Sequence, residues 1–296
     1  MRIAVIGPHG QIARSLIERG RATGVDVLPL ARPQIDLAGP DPITAALAAL
    51  TPDVVVNAAA FTAVDRAEAE PDLAFAINAS GANAAAVAAA EIGVPLVHLS
   101  TDYVFDGGLY RPYRESDPPN PINVYGHSKF EGEIAVAAAQ PDHAILRTAW
   151  VYSPFGTNFV RTMLRIADER DDIAVVADQR GAPSSALDIA DGILAVARQL
   201  VARPQARELR GTFHMTCDGE ATWAEFAAAI FAASLMEDGP STRVTPIPSS
   251  AYPTPARRPA NSRLDCSKLW AAYGIRLPHW RHSLPDCVSR ILGPAS

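Results

Sequence analysis

Short apolar runs alternate with longer amphipathic stretches through the first half of the chain, and this alternation constrains the fold more than any other feature. Apolar runs at 2–6, 25–30, 54–56, 96–99 and 144–146 predict five strands. The stretches between them predict helices at 10–22, 43–50, 73–92 and 125–139. Strands that are apolar throughout and separated by helices are typical of a parallel sheet covered on both faces. We therefore predict a doubly wound α/β fold.

The alternation loosens beyond Trp150, which indicates a second, smaller unit. The sequence there predicts helices at 156–169, 186–201, 222–235 and 283–292, strands near 173–176 and 212–215, and a proline-rich loop at 239–263. We predict a main domain of residues 1–150 that also takes in roughly 185–215. Residues 151–184 and 216–296 are predicted to form a smaller, mostly C-terminal lobe.

Composition argues against several classes of function. The chain of 296 residues has a net charge of −6 and no long basic run, which argues against binding nucleic acid. Its cysteines, Cys217, Cys266 and Cys287, lack C-x-x-C spacing, which argues against a disulfide framework or a zinc cluster. No signal peptide is evident, and the apolar stretch 79–92 is predicted to be too short to span a membrane. The simplest expectation is a cytoplasmic protein that no membrane holds.

A glycine-rich turn joins the first predicted strand to the first predicted helix. Its sequence is Gly7-Pro8-His9-Gly10-Gln11-Ile12-Ala13. Gly7 allows a tight turn, and Gly10 allows a phosphate to approach the backbone N–H groups at the helix N-terminus. Ala13 stands where a third glycine is more usual, but it is small enough for close packing of helix on sheet. An ordinary glycine-rich turn is the alternative; the strand–turn–helix context favours a dinucleotide and a Rossmann-type domain.

The end of the second predicted strand bears on which dinucleotide binds. An NAD-specific site has an acid there for the ribose 2′-hydroxyl, whereas this chain has Arg32, which can pair with a 2′-phosphate. This favours NADPH, with NADH as the alternative cofactor and a solvated surface cation as the competing role for Arg32. Asp36 and Leu37 are predicted to border the adenine. Ala59 and Ala60, after the third strand, are predicted to lie against the cofactor.

Tyr125 and Lys129 are the most informative pair of side chains. They are four residues apart in a predicted helix, so both leave the same face. A neighbouring ammonium group is expected to lower the pKa of the phenol from about 10 toward neutral pH. Thr101 lies at the carboxyl end of the fourth predicted strand, the edge of a parallel sheet where ligands bind. The hydroxyl, phenol and ammonium groups together predict a nicotinamide-dependent enzyme.

Seven motifs between residue 1 and about 270 together carry a specific resemblance. They are Gly7-x-x-Gly10-Gln11, Asn57-Ala58-Ala59-Ala60-x-Thr62-x-Val64-Asp65-x-Ala67-Glu68, Ser100-Thr101-Asp102-Tyr103-Val104-Phe105-Asp106-Gly107, Asn123-x-Tyr125-Gly126-x-Ser128-Lys129, Arg147-Thr148-x-Trp150-Val151-Tyr152, Asp178-Gln179-x-Gly181-x-Pro183 and Arg258-Pro259-x-Asn261-Ser262-x-Leu264. On these motifs the chain resembles the dTDP-4-dehydrorhamnose reductase family of the extended short-chain dehydrogenase/reductase superfamily. The resemblance implies NADPH-dependent reduction of the C4 keto group of dTDP-4-dehydro-6-deoxy-L-mannose to dTDP-L-rhamnose.

The resemblance also implies roles for individual residues. Tyr125 would protonate the C4 alkoxide, Lys129 would lower the Tyr125 pKa and hold the nicotinamide ribose, and Thr101 would hydrogen-bond the same substrate oxygen. The predicted cofactor-binding residues are Gly7, Gly10, Gln11, Ile12, Arg32, Asp36, Leu37, Ala59, Ala60, Thr62, Tyr125 and Lys129. The predicted substrate-binding residues are Thr101, Asp102, Tyr103, Phe105, Tyr125, Trp150 and Arg258. For Tyr103, Phe105 and Trp150, simple packing is an equally good interpretation.

Tyr103 bears on the type of reaction. Sugar-nucleotide dehydratases of the same superfamily typically have Thr-Asp-Glu where this chain has Thr101-Asp102-Tyr103. The glutamate is there because elimination needs an additional acid and base. Its replacement by tyrosine favours simple reduction over dehydration.

Metal ions and alternative functions complete the predictions. Some members of the family bind Mg²⁺ at a dimer interface through a first-helix glutamate, where this chain has Ser15, so we predict no Mg²⁺ site. His279 and His282 resemble half a metal site without a third ligand, so no metal is assigned. We predict a monomer or homodimer that takes a dTDP-sugar. Two alternatives stay open: a reductase of another nucleotide-linked 4-keto-deoxysugar, and a non-catalytic NADP-binding subunit similar to the regulatory β subunit of methionine adenosyltransferase.

Overall fold

The computed structural model describes residues 1–39 and 43–293. The α-helices in these residues are Gln11–Ala22 (α1), Ile43–Leu50 (α2), Val64–Ala69 (α3), Pro71–Phe75 (α4), Gly81–Glu91 (α5), Val124–Ala139 (α6), Phe159–Ala167 (α7), Ala186–Ala202 (α8), Trp223–Leu235 (α9), Ser267–Tyr273 (α10) and Trp280–Leu292 (α11). The strands are Arg2–Ile6 (β1), Asp26–Leu30 (β2), Val54–Asn57 (β3), Leu96–Thr101 (β4), His143–Thr148 (β5), Val151–Tyr152 (β6), Asp172–Val176 (β7), Arg180–Gly181 (β8), Ser184–Ser185 (β9), Gly211–His214 (β10), Ala221–Thr222 (β11) and Arg243–Ile247 (β12).

Six strands form one parallel sheet in the order β10-β5-β4-β3-β1-β2. The chain adds β2 on one side of β1 and then returns to add β3 on the other side. Ligands of open parallel sheets bind at the carboxyl edge beside such a reversal. The doubly wound α/β fold is confirmed, and its topology directs attention to the loops after β1 and β3.

Apolar side chains cover both faces of this sheet. Val5 of β1 is fully buried in one cluster with Leu16 of α1 and Ile193 of α8. Its neighbour Ala4 is fully buried in a second cluster with Ala85 of α5. Alternate side chains of a strand point to opposite faces, so a strand that is apolar at every position packs against two helical layers. Strand β10 extends this sheet, and helix α8 packs against α1 on one of its faces.

The predicted helix 73–92 is interrupted by one π-helical turn, Ala76–Ser80, between α4 and α5. The buried side chain of Asn78 lies in this turn. It accepts the N–H of Phe61 at 2.8 Å, donates to the carbonyl of Phe61 at 3.1 Å and donates to the hydroxyl of Ser128 at 2.9 Å. One side chain thus joins the loop after β3 to α6. Single π turns inside helices often occur near functional sites.

Among the described residues, the helical run Pro71–Glu91 is long and apolar enough to cross a membrane by length and composition, with a mean hydropathy of 1.4. The apolar run is therefore longer than the predicted stretch 79–92. In the structure Ala82, Ala85 and Ala89 of this run are buried in the second cluster under the sheet. A buried core helix passes the same test as a membrane span.

The second half contains elements that the sequence did not predict: the two-residue strands β6, β8, β9 and β11, strand β12 and helix α10. Strand β12 lies inside the predicted proline-rich loop 239–263 and pairs with β7 in a two-stranded parallel sheet, where Pro246 is tolerated at an edge. Helix α11 begins three residues earlier than predicted. His279 caps it, because its ring Nδ1 accepts the N–H of Arg281 at 3.2 Å.

Candidate active site

A cavity of about 700 Å³ opens at the carboxyl edge of the main sheet, beside the reversal between β1 and β3. It is lined by nearly all the predicted site residues: Gly7, Gly10, Gln11, Ile12, Arg32, Asp36, Leu37, Ala59, Ala60, Thr62, Thr101, Asp102, Tyr103, Tyr125, Lys129 and Trp150. The fold therefore brings the predicted cofactor turn and the predicted acid/base residues to one cavity. Two predicted residues, Phe105 and Arg258, do not line it.

The glycine-rich turn fits a diphosphate. Gly7 has a φ of +80°, and a Cβ there would lie 2.6 Å from Cα of Ala59, so a side chain would push the turn off the end of β3. Gly10 is the N-cap of α1 and supplies no side-chain cap. The backbone N–H groups of the first helical turn therefore have no capping partner from Gly10 and can receive an anion. Ala13 is fully buried, in agreement with close packing of α1 on the sheet.

The side chain of Gln11 holds a neighbouring loop. Its Oε1 accepts the hydroxyl of Ser153 at 2.8 Å and the amide of Asn158 at 3.0 Å. The loop between these two residues contributes Gly156 and Thr157 to the cavity wall, and neither was predicted from the sequence. Gln11 therefore contributes to the cavity partly by fixing this loop beside the glycine turn.

Arg32 is paired in the structure. Its Nη2 lies 2.6 Å from Oδ2 of Asp36, and its side chain is 70% exposed. This pairing holds the pKa of the Asp36 carboxyl below its usual range. Water and salt screen an exposed ion pair, so Asp36 is a weak competitor for the Arg32 guanidinium. The pair borders the same end of the cavity as Leu37.

The acid/base pair lies on α6. Asn123 caps this helix by accepting the N–H of Gly126 at 2.7 Å, which starts the helix just before Tyr125. Lys129 is 1% exposed, and its Nζ donates to the carbonyl of Leu99 at 2.6 Å. Burial lowers the pKa of Lys129 to about 8.

The predicted direction of the Tyr125 pKa is wrong for this structure. Loss of hydration raises the pKa of Tyr125 to about 12, and the hydrogen bond with Thr101 opposes the rise only in part. The ammonium group of Lys129 is directed at the Leu99 carbonyl. Burial therefore outweighs any help from the lysine, and the phenol keeps its proton at neutral pH. A protonated phenol is the form required of a general acid.

Thr101 organises the turn after β4. Its Oγ1 accepts the N–H of Tyr103 at 3.2 Å and donates to Oδ1 of Asp102 at 3.0 Å. Asp102 is 3% exposed, and its Oδ2 has no hydrogen-bond partner among the described residues. Burial raises the pKa of Asp102 to about 6. Tyr103 packs edge-on against Tyr125, with ring centroids 5.5 Å apart. Asp102 and Tyr103 therefore lie at the cavity wall together with Tyr125.

Trp150 both packs and lines the cavity. Its ring stacks on Trp223 of α9 at 3.5 Å, and its backbone has a φ of +47°. Gly181 of β8 lies against the indole, where a Cβ would be 2.3 Å from Cε2. Residues of β8 and α9 therefore fix the orientation of one wall of the cavity.

Phe105 and Arg258 lie elsewhere because each has a different partner. Phe105 is 1% exposed and stacks on Tyr113 with ring centroids 4.3 Å apart, so it supports the turn after β4 from behind. The guanidinium of Arg258 makes two bonds to Asp65, at 2.7 and 3.1 Å. These two bonds give the Asp65 carboxylate a structural partner. Neither predicted substrate contact is supported by this geometry.

The described residues contain no group of three or more His, Cys, Asp or Glu side chains that could hold a metal ion. Ser15 is fully buried, and its hydroxyl donates to the carbonyl of Gln11 within α1. His279 serves as a helix cap. The assignment of no metal stays a prediction.

A doubly wound sheet with a phosphate-binding glycine turn, and with a tyrosine and a lysine four residues apart on one helix, defines a dinucleotide-binding oxidoreductase of the short-chain dehydrogenase/reductase class. The family model of the RmlD substrate binding domain matches residues 1–292, and the chain belongs to this family.

Similar proteins match nearly the whole chain. A dTDP-4-dehydrorhamnose reductase of Sinorhizobium fredii is 52% identical over 292 residues, which are 99% of this chain and 98% of that protein. A crystal structure of a dTDP-4-dehydrorhamnose reductase from Clostridium acetobutylicum has a TM-score of 0.89 and 37% identity, covering 98% of this chain and 99% of that one. The enzyme of the same name from Bacillus anthracis, solved in complex with NADP, has a TM-score of 0.88 and 34% identity, covering 97% and 98%.

Proposed function

We propose that this protein reduces the C4 keto group of dTDP-4-dehydro-6-deoxy-L-mannose with NADPH, giving dTDP-L-rhamnose. The observation that carries the proposal is that Thr101, Tyr125 and Lys129 line the same cavity as the glycine turn at Gly7. Relatives that match over nearly the whole chain have this activity in their names.

The residues of the cavity fit the cofactor. The open N–H groups after Gly10 would receive the diphosphate, because Gly7 lets the turn pack closely against Ala59 at the end of β3. Arg32 would exchange Asp36 for the 2′-phosphate, because a phosphate offers a charge-assisted bidentate bond. NADPH, when bound, supplies the hydride. NADH is the alternative cofactor, since the Arg32–Asp36 pair also leaves a carboxylate at the ribose end.

The chain's own groups would handle the proton. The hydroxyl of Tyr125 would donate its proton to the alkoxide oxygen as negative charge develops there, and the hydroxyl of Thr101 would turn from Asp102 to donate a hydrogen bond to the same oxygen. The ammonium group of Lys129 would stabilise the phenolate that remains, since an adjacent cation favours the charged form of a phenol. Burial of these groups strengthens each of these interactions.

The sugar would lie between the two lobes. Oδ2 of Asp102 is a buried acceptor without a partner among the described residues, and a sugar hydroxyl would satisfy it. Tyr103 and Trp150 would form the walls. We propose that residues 151–184 and 216–296 serve as the substrate lobe, because Trp150 is held by Gly181 and Trp223 from that lobe.

The decisive assay follows the loss of NADPH absorbance with dTDP-4-dehydro-6-deoxy-L-mannose, and NMR of the product gives the C4 configuration. Tyr125→Phe should abolish turnover and leave NADPH affinity nearly unchanged. Tyr110→Phe is the matched control, because Tyr110 is 99% exposed and outside the cavity. Full turnover of Tyr125→Phe would remove the tyrosine from the mechanism.

Two other outcomes correspond to the alternative functions. Product with the opposite C4 configuration, or turnover only with another nucleotide-linked 4-keto-deoxysugar, would identify a related reductase. Tight NADPH binding without turnover of any such sugar would support a non-catalytic subunit. A cytoplasmic location and a monomeric or homodimeric state stay predictions from the sequence.

A further inference from the structure

A buried ion pair lies directly behind the acid/base residues. Both carboxylate oxygens of Glu133 accept from Arg147, at 2.8 Å from Nε and 2.6 Å from Nη2, and the hydroxyl of Ser100 donates to Oε1 at 2.5 Å. Glu133 lies one helical turn after Lys129 on α6. Ser100 and Arg147 are register partners in β4 and β5, and Ser100 directly precedes Thr101. The carboxylate of Glu133 therefore joins α6 to the two strand ends that frame the cavity.

Stability alone does not account for this ion pair. Its side chains are 5% and 4% exposed, and no other ion pair among the described residues has both partners buried to this degree. The pair Arg19–Asp191, for comparison, is 39% and 41% exposed. Removing two charges from water offsets most of their attraction, so buried pairs are often replaceable by apolar residues without loss. The position of Glu133 beside Lys129 points to a role in the site.

Among the titratable groups around Lys129, Glu133 is the acid whose carboxylate stabilises the protonated form of the lysine. The titratable groups around Lys129 are His98 of β4, Tyr125 and Glu133 of α6, Arg147 of β5 and Asp102 of the turn after β4. Burial and the lysine itself lower the pKa of His98 well below its usual value, so His98 is neutral. Burial lowers the pKa of Lys129 to about 8, and the carboxylate of Glu133 opposes that fall.

We propose that Glu133 is a positioning residue whose carboxylate, held in place by Arg147 and Ser100, is the counter-charge that keeps Lys129 protonated at neutral pH. With an uncharged residue at 133, Lys129 and Arg147 would be two buried cations without their counter-charge, and Lys129 is the one that can release its proton. The effect on turnover rests on the proposed function, whereas the protonation of Lys129 does not.

The chain offers a direct readout, because Lys129 and Lys268 are its two lysines. Labelling lysine with ¹³C at the ε carbon gives two NMR signals, and Lys268, whose exposed ammonium donates to the Thr212 carbonyl, is the internal reference. In Glu133→Gln the pKa of Lys129 should fall by about one pH unit or more. In Glu133→Asp, which keeps the charge, it should stay close to wild type while kcat falls because the shorter side chain displaces α6.

Two further variants keep the test decisive. Glu133→Gln leaves Arg147 without its partner and could unfold the chain. The double variant E133Q/R147M buries no uncompensated charge of the pair and should show a smaller fall of the Lys129 pKa in the same direction, because the Arg147 cation that repels the ammonium is also removed. Asp188→Asn is the matched control, because Asp188 is a half-buried carboxylate that accepts from Ser283 and lies outside the cavity, so the Lys129 signal should titrate as in wild type.

The outcomes separate this proposal from the proposed function. An unchanged Lys129 pKa in E133Q or in E133Q/R147M, or an equal fall in E133D, would overturn the role of Glu133. In the active enzyme the alkaline limb of the kcat profile should move to lower pH together with the NMR titration, because the amine form cannot support Tyr125. If E133Q lowers the Lys129 pKa relative to wild type but the wild-type protein reduces no sugar, the proposed function is refuted and the role of Glu133 stands.

Discussion

Replacing Asp102 by Asn is expected to stabilise the protein at neutral pH and to leave its stability in acid unchanged. Burial raises the pKa of this carboxyl from 3.8 to about 6. The folded state therefore binds the proton more tightly than the unfolded chain, and ionisation opposes folding. A pKa difference of one unit corresponds to about 1.4 kcal/mol of free energy. The loss of unfolding free energy caused by ionisation of Asp102 therefore grows as the pH rises above 3.8 and reaches about 3 kcal/mol above pH 6.

Asparagine cannot ionise, so the variant escapes this penalty and should gain up to about 3 kcal/mol of unfolding free energy at pH values above 6. Urea unfolding at several pH values measures the gain. Below pH 3.8 the two proteins should unfold alike, since both then carry a neutral group. The sugar affinity should fall in the same variant, because the amide nitrogen that replaces one carboxylate oxygen cannot accept a substrate hydroxyl.

Asp106→Asn is the control of opposite sign from the same segment. Hydrogen bonds from the Tyr113 hydroxyl, the Gly108 N–H and Asn120 hold the pKa of Asp106 below its usual range. Its ionised form therefore supports folding, so the variant should lose stability at neutral pH and match wild type once acid protonates the carboxylate. If Asp102→Asn gains nothing at neutral pH while Asp106→Asn behaves as expected, the burial argument for Asp102 is wrong.

Three further substitutions test the cavity. Gly181→Ala would place a Cβ 2.3 Å from the Trp150 indole and displace that wall of the cavity. Steady-state kinetics should therefore show that KM for the dTDP-sugar rises about tenfold while KM for NADPH changes little. Arg32→Ala should weaken NADPH binding about tenfold or more and spare NADH, as cofactor titration can measure. Gly7→Ala would bring a Cβ to 2.6 Å from Cα of Ala59; we expect loss of both cofactors with an intact circular dichroism spectrum, and retained binding would refute the close-approach argument.

The sheet was predictable because its strands are apolar at every position, as in Val54-Val55-Val56, which leaves little alternative to burial between two helical layers. Strand β12 was not, because its sequence, Arg243 to Ile247, mixes exposed polar residues with a proline and lies in a proline-rich region. The π turn could not be predicted either, because the helical pattern of apolar residues does not reveal one extra residue.

The site divides in a similar way. Residues at the carboxyl ends of strands, such as Thr101 and Ala59, could be placed because parallel strands end at one edge. The pKa of Tyr125 could not, because spacing reveals the lysine but not the loss of water around the phenol. The pair of Glu133 and Arg147 was missed because the partners are 14 residues apart, on a helix and a strand, and no sequence spacing indicates such a contact.

The π turn has a consequence for how this sequence tolerates changes in length. Removing one residue from Ala76–Ser80 would restore an ordinary helix and abolish the wide turn that presents Asn78. Asn78 would then turn away from Phe61 and Ser128, and the cofactor loop and the acid/base helix would lose their shared anchor. Homologous sequences should therefore accept substitutions among the alanines of α5 far more readily than a one-residue gap in the preceding turn.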